Sequence, residues 1–176
     1  APALPALELV TNQDARLARK FFMHNGAHAV CGYWGFHRGH TFIHEAVADP
    51  VVLGHVTGAI DELAVVVARH YGFDVAATRA YGLELGPRGA IAAIQDRILR
   101  VVRDPLRKLS REDRVIGAMT FDLAHNVECP ATAAVAAAAM EFRGTDERGR
   151  LSAPDEIFMT EYYPEGLDAI LTKICG

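Results

Sequence analysis

The apolar positions of this chain recur at helical spacing, and nowhere do they alternate as a half-buried strand would. The clearest run covers residues 51–70, where Val52, Val56, Ile60, Leu63 and Val67 share one face and Gly72 offers a terminator. Upstream, one helix is predicted over residues 14–33, capped by Asn12 or Asp14 and fading in the Gly-rich stretch 35–39. A short helix over 40–49 ends at Pro50. Downstream, helices are predicted over 75–83 and over 88–99, the latter with Pro87 in its first turn. Another covers 111–127, with Ser110 as cap and Asp113 as capping-box partner, and an Ala-rich one follows over 131–142. Pro105 makes 100–109 irregular, 144–150 is a polar loop, and short helices over 154–162 and 164–174 close the chain. The prediction is an all-α fold, a multi-helix globular domain of about eight helices. Residues 1–13, without Met and with two prolines, read as a connector, leaving 14–176 as the folded domain.

Composition narrows the class. With 176 residues, 51% hydrophobic and 23% charged, the chain is a folded domain with a substantial core. A formal charge of -4 argues against a nucleic-acid partner. Cys31, Cys129 and Cys175 form no CxxC, so free thiols in a reducing, cytoplasmic setting are expected. No run is judged to approach a membrane span, and no membrane partner is expected. No βαβ unit and no G-x-G-x-x-G after a strand can be found, so the dinucleotide-binding unit of a Rossmann fold is absent from these residues and any cofactor-binding residues here are unknown.

Two constellations carry candidate chemistry. On a helical wheel, Lys20, His24, His28 and Asn25 fall near about 0°, 40°, 80° and 140°. An amine, two imidazoles and a carboxamide thus cluster on one side. If Lys20 is desolvated it is a candidate general base, with Asn25 a donor to an oxyanion and His28 a holder for a substrate hydroxyl. A snorkelling lysine beside satisfied polar groups would look the same. The second constellation, residues 100–114, holds Arg100, Arg103, Arg107, Lys108, Arg111 and Arg114 against three acids and suits an anion, or simply a solvated charged loop. The eight histidines raise a third reading, a helical His-rich metal-binding protein or metallohydrolase, since His37, His40 and His44 precede Glu45 at ligand-like spacing.

The string Lys20-x4-Asn25-x2-His28 resembles the catalytic helix of the polyol-specific long-chain dehydrogenases, the mannitol dehydrogenase and mannitol-1-phosphate 5-dehydrogenase family. The likeness continues in order through GYWGFHRGHTFIHEA, HYGFD, RVVRDPLRKLSREDRV and AAAMEFRG, roughly residues 8–145. The resemblance implies a C-terminal substrate and catalytic domain whose N-terminal Rossmann domain precedes residue 1 and binds NAD or NADP, with no metal. It implies Lys20 as base, Asn25 as alkoxide donor, and His28, Arg100 and Lys108 as ligands of a polyol. RDPLRKLS looks closer to the mannitol-1-phosphate enzymes, in which case Arg103 or Arg107 would meet the phosphate. Hexuronate reduction stays open, and the chain alone is expected to be inactive.

Overall fold

The computed structural model describes residues 10–145 and 149–176. Most of the predicted connector, and residues 146–148 of the predicted loop, lie outside that range. Twelve α-helical segments and no strand occur among the described residues, so the chain is an all-α, multi-helix domain, more finely divided than the periodicity predicts.

The first rod is longer than expected. Helix α1 (Gln13–Arg19), a π-helical segment (Lys20–Gly26) and α2 (Ala27–His37) run on without a break, since Lys20 and Ala27 keep right-handed helical dihedrals. Gly32 and Gly35 do not end it. They are contact points where α3 (Ile43–Ala48) and α7 (Ile98–Val102) press onto α2. A Cβ on Gly35 would lie 2.7 Å from Ile98 Cδ1 and 2.8 Å from Ala46 Cβ, and one on Gly32 would lie 2.8 Å from Val101 Cγ1. The true stop is Gly39, at φ 80°.

Helix α4 (Pro50–Tyr71) is the spine. Asp49 caps it, accepting from Val51 N at 2.8 Å, and Gly72 ends it in the left-handed region at φ 72°. Its predicted face, Val52, Val56, Ile60, Leu63 and Val67, is buried against α2, α5 (Val75–Leu83) and α10 (Pro130–Met140). Contrary to expectation, α4 does have the length and apolarity of a membrane span, 22 residues with mean hydropathy 1.7, but half of that window is buried inside the domain. Glu62 on α4 also works as a cap in trans. Its carboxylate accepts from Ala131 N at 2.7 Å, Thr132 N at 2.8 Å and Thr132 Oγ1 at 2.7 Å, at a helix start where Cys129 gives no side-chain bond.

Three predicted elements are corrected. The helix expected over 88–99 is instead α6 (Leu85–Gly89), a 3₁₀ turn (Ala92–Ile94) and then α7. Gln95 turns left-handed at φ 49°, and Phe42 and Arg97 pair in a single antiparallel bridge. The irregular stretch contains α8 (Pro105–Lys108), because Pro105 occupies a first turn and left-handed Asp104, φ 66°, caps it. The helix expected from 111 begins only as α9 (Ile116–Ala124), since the Asp113 carboxylate binds Arg107 and Arg114 at 2.8 Å each and Ser110 Oγ donates to the Arg107 carbonyl. The end of the chain alternates α11 (Ala153–Ile157) and α12 (Leu167–Ile170) with short π and 3₁₀ turns. Cys31, Cys129 and Cys175 are free and buried.

Asp122 on α9 is wholly buried, and its Oδ1 has no hydrogen-bond partner among the described residues. Burial, reinforced by the neighbouring Glu62, pushes its carboxyl up to about 7. Unfolded, the group ionises near 3.8; folded, it keeps its proton until about 7. The native state therefore binds the extra proton between these values, and stability falls as pH rises across that window. Asp122→Asn should flatten the decline of Tm between those values and raise Tm at alkaline pH, read by thermal denaturation. An unchanged slope would clear Asp122 of the effect.

Candidate active site

The π-helical segment coincides with the first constellation. On an α wheel Lys20 and Asn25 stand about 140° apart. The i→i+5 bonding of a π turn instead brings residues five apart toward one side, and such turns recur at functional sites. A π turn thus separates Lys20 and Asn25 by a smaller angle than an α turn would.

Six of the seven candidate residues line one cleft of about 470 Å³: Asn25, His28, Arg100, Arg103, Arg107 and Lys108. Helix α2 and the π turn before it supply one wall, and α7 and α8 the other. Lys20 does not line the cleft and is exposed. The desolvation supposed for Lys20 is therefore absent from this chain, and the desolvated amine is Lys108, 3% exposed. Burial, with Arg107 nearby, lowers Lys108 to about 8, and its Nζ donates to the Arg103 carbonyl.

Carboxylates hold most of the cations in place. Asp96 lies 3.0 Å from His28 Nε2 and accepts from Arg100 Nε at 2.9 Å, so one side chain orients two candidates. Burial pushes the His28 imidazole below its usual value, against the upward pull of Asp96. With Nε2–H donated to Asp96, the neutral ring leaves Nδ1 as an acceptor. Arg107 is held by Asp104 at 2.9 Å and Asp113 at 2.8 Å, and Arg114 by Asp113 at 2.8 Å. Behind this wall the buried Asp155 accepts from Asp104 N at 2.7 Å and from Ser152 Oγ at 2.5 Å, tying the α7–α8 turn to α11. Arg103 has no ion-pair or side-chain hydrogen-bond partner among the described residues.

The histidines read as metal candidates have separate engagements. His37 Nε2 meets the Ala138 carbonyl at 2.8 Å, His40 Nε2 meets Asp49 at 3.0 Å, and His44 stacks on Phe42. No group of three metal-ligating side chains forms among the described residues. Asp96, Asp104 and Asp155 were missed from the sequence. The i,i+4 spacing of Asp96 and Arg100 was the one available signal for the first, whereas Asp155 acts from a distant part of the chain.

Fold and cleft together define an all-α domain whose cleft brings together an amide, an imidazole and cations held by carboxylates. The family described as mannitol dehydrogenase C-terminal domain matches this chain over residues 14–165, and the chain belongs to that family. Mannitol-1-phosphate 5-dehydrogenase of Caldanaerobacter subterraneus subsp. tengcongensis is 38% identical over 113 residues, which are 64% of this chain and 29% of that enzyme.

Proposed function

We propose that this chain is the substrate-binding and catalytic half of a cytoplasmic, metal-independent polyol dehydrogenase that interconverts a linear polyol or polyol phosphate and its ketose, with mannitol 1-phosphate and fructose 6-phosphate the favoured pair. The observation that carries the reading is the convergence of Asn25, His28, Arg100 and Lys108 on one cleft in a chain of the mannitol dehydrogenase C-terminal family. NAD or NADP, held mainly by an N-terminal Rossmann domain, supplies the hydride acceptor.

The chain's own groups do the rest. Lys20 takes the proton of the reacting hydroxyl, and Asn25 donates to that oxygen as negative charge develops. Nδ1 of His28 accepts from a neighbouring hydroxyl, while Arg100 and Lys108 hold hydroxyls further along, so that one C–H bond is presented for transfer. Arg103 or Arg107 meets the phosphate. The test is to join the chain to a nucleotide-binding domain of this family and follow NADH formation from mannitol 1-phosphate and from mannitol. Turnover by the joined protein and none by the 176-residue chain alone is expected. A correctly folded joined protein that oxidises neither polyol would overturn the reading.

A further inference from the structure

A second cleft, of about 570 Å³, continues from the first and shares Arg100, Arg103 and Ser152 with it. Leu99, Phe142 and Leu151 form its apolar side. Asp155 is the sole carboxylate among its described lining residues, and each of its oxygens already accepts a hydrogen bond. Arg97 and Arg150 add positive charge at its edge, whatever else they contact. Among the described lining residues, Arg100 and Arg103 thus face the second cleft with no carboxylate oxygen left without a hydrogen bond.

Arg103 stands where the two clefts meet. Its backbone leaves α7 in an extended conformation, ψ 160°, and its carbonyl is gripped by Lys108 Nζ. The main chain is thus fixed while the guanidinium is exposed and uncommitted. Its neighbours differ: Arg100 is bound by Asp96, Arg107 by Asp104 and Asp113, and Arg114 by Asp113. Recruiting any of them to an anion means sharing a fork already filled by carboxylate.

We propose that the second cleft is the subsite for the terminal phosphate of a phosphorylated polyol, and that Arg103, not Arg107, is the residue that separates a phosphorylated from a free polyol. This rests on the polyol reading above and decides what that reading left open. The related enzyme's name puts the phosphate on carbon 1 and the reaction at carbon 5, at opposite ends of a hexitol. Of these two clefts Asn25 and His28 line the first and not the second, so a chain with its reacting carbon beside Asn25 carries its far end past Arg100 to Arg103. A planar guanidinium there meets a phosphate dianion through two parallel N–H bonds.

The experiment is an NMR titration of the 176-residue chain, following the Asn25 side-chain amide, the His28 ring and the arginine Nε–H resonances. The probes are mannitol 1-phosphate, mannitol, mannonate and inorganic phosphate. Mannitol 1-phosphate should move Asn25, His28 and Arg103 together, mannitol only the first two, and inorganic phosphate chiefly Arg103. Arg103→Ala, at an exposed position, should weaken mannitol 1-phosphate by about 10- to 100-fold and leave mannitol within about twofold. Arg103→Lys should restore part of the loss. Equal weakening of both ligands, a shift at Arg107 in place of Arg103, or a preference for mannonate over the phosphate would overturn the assignment. If both polyols move Asn25 and His28 while Arg103 stays still, this proposal falls and the polyol reading stands. If neither polyol disturbs Asn25 or His28, the polyol reading itself falls and takes the subsite with it.

Discussion

Replacing Lys20 by alanine in the protein joined to its nucleotide-binding domain is expected to lower kcat by about 10²–10⁴-fold, the usual share of a positioned general base. The expectation rests on the proposed role of Lys20, which shares a π-helical segment with Asn25. Among the described residues nothing takes the amine out of water, so on the proposed reading the nucleotide-binding domain has to desolvate it. KM should change little, because the groups that hold the polyol sit elsewhere, on α2, α7 and α8. Being exposed, Lys20 can be replaced at little cost to folding. Steady-state rates across pH for wild type and variant are the measurement. Full activity in Lys20→Ala would remove this residue from the mechanism and leave the cleft as a binding site alone.

The second large effect is expected at Asp96. This carboxylate joins His28 to Arg100, so Asp96→Asn weakens the alignment of an imidazole and a guanidinium at once. A lost charge-assisted hydrogen bond costs about 1.5–3 kcal/mol, so kcat/KM should fall roughly 10- to 100-fold. A second readout separates alignment from mere stability. Asp96 is what pulls the His28 imidazole upward against burial, so in the variant the ring should titrate at still lower pH, followed by NMR. A His28 titration that stays where it was, with activity lost, would mean that Asp96 acts on folding and not on the ring.

Legibility of the fold varied with how far each determinant reaches. The face and both ends of α4 could be read because every determinant is local: the valines at helical spacing, Pro50 at the first turn and Gly72 past the last. Gly35 misled because a glycine that ends a helix and one that admits a neighbour look alike in sequence; only the positions of Ile98 and Ala46 distinguish them. The stretch 88–99 broke up because the main chain of Asp96 serves a partner far back in the chain, accepting from Ile43 N at 2.8 Å. The shift of α9 to Ile116 has a similar cause: Asp113, a reasonable cap by spacing, is claimed by two arginines. Most of the cleft was legible because its residues fall in two short blocks. The π turn was not, since a single turn of altered pitch leaves the apolar pattern almost unchanged. The carboxylates that steer the cations were obscured by distance.

The bond from Asp104 N to Asp155 also has a consequence for when the cleft can exist during biosynthesis. Asn25 and His28 are synthesised well before α7 and α8. The anchor that holds their junction is delivered only when Asp155 arrives and α11 docks. A nascent or clipped chain ending before that point can already bury α2 against α4, yet its cleft lacks a fixed far wall. Ligand binding would therefore report the docking of α11, while helicity would already report the helices made before it.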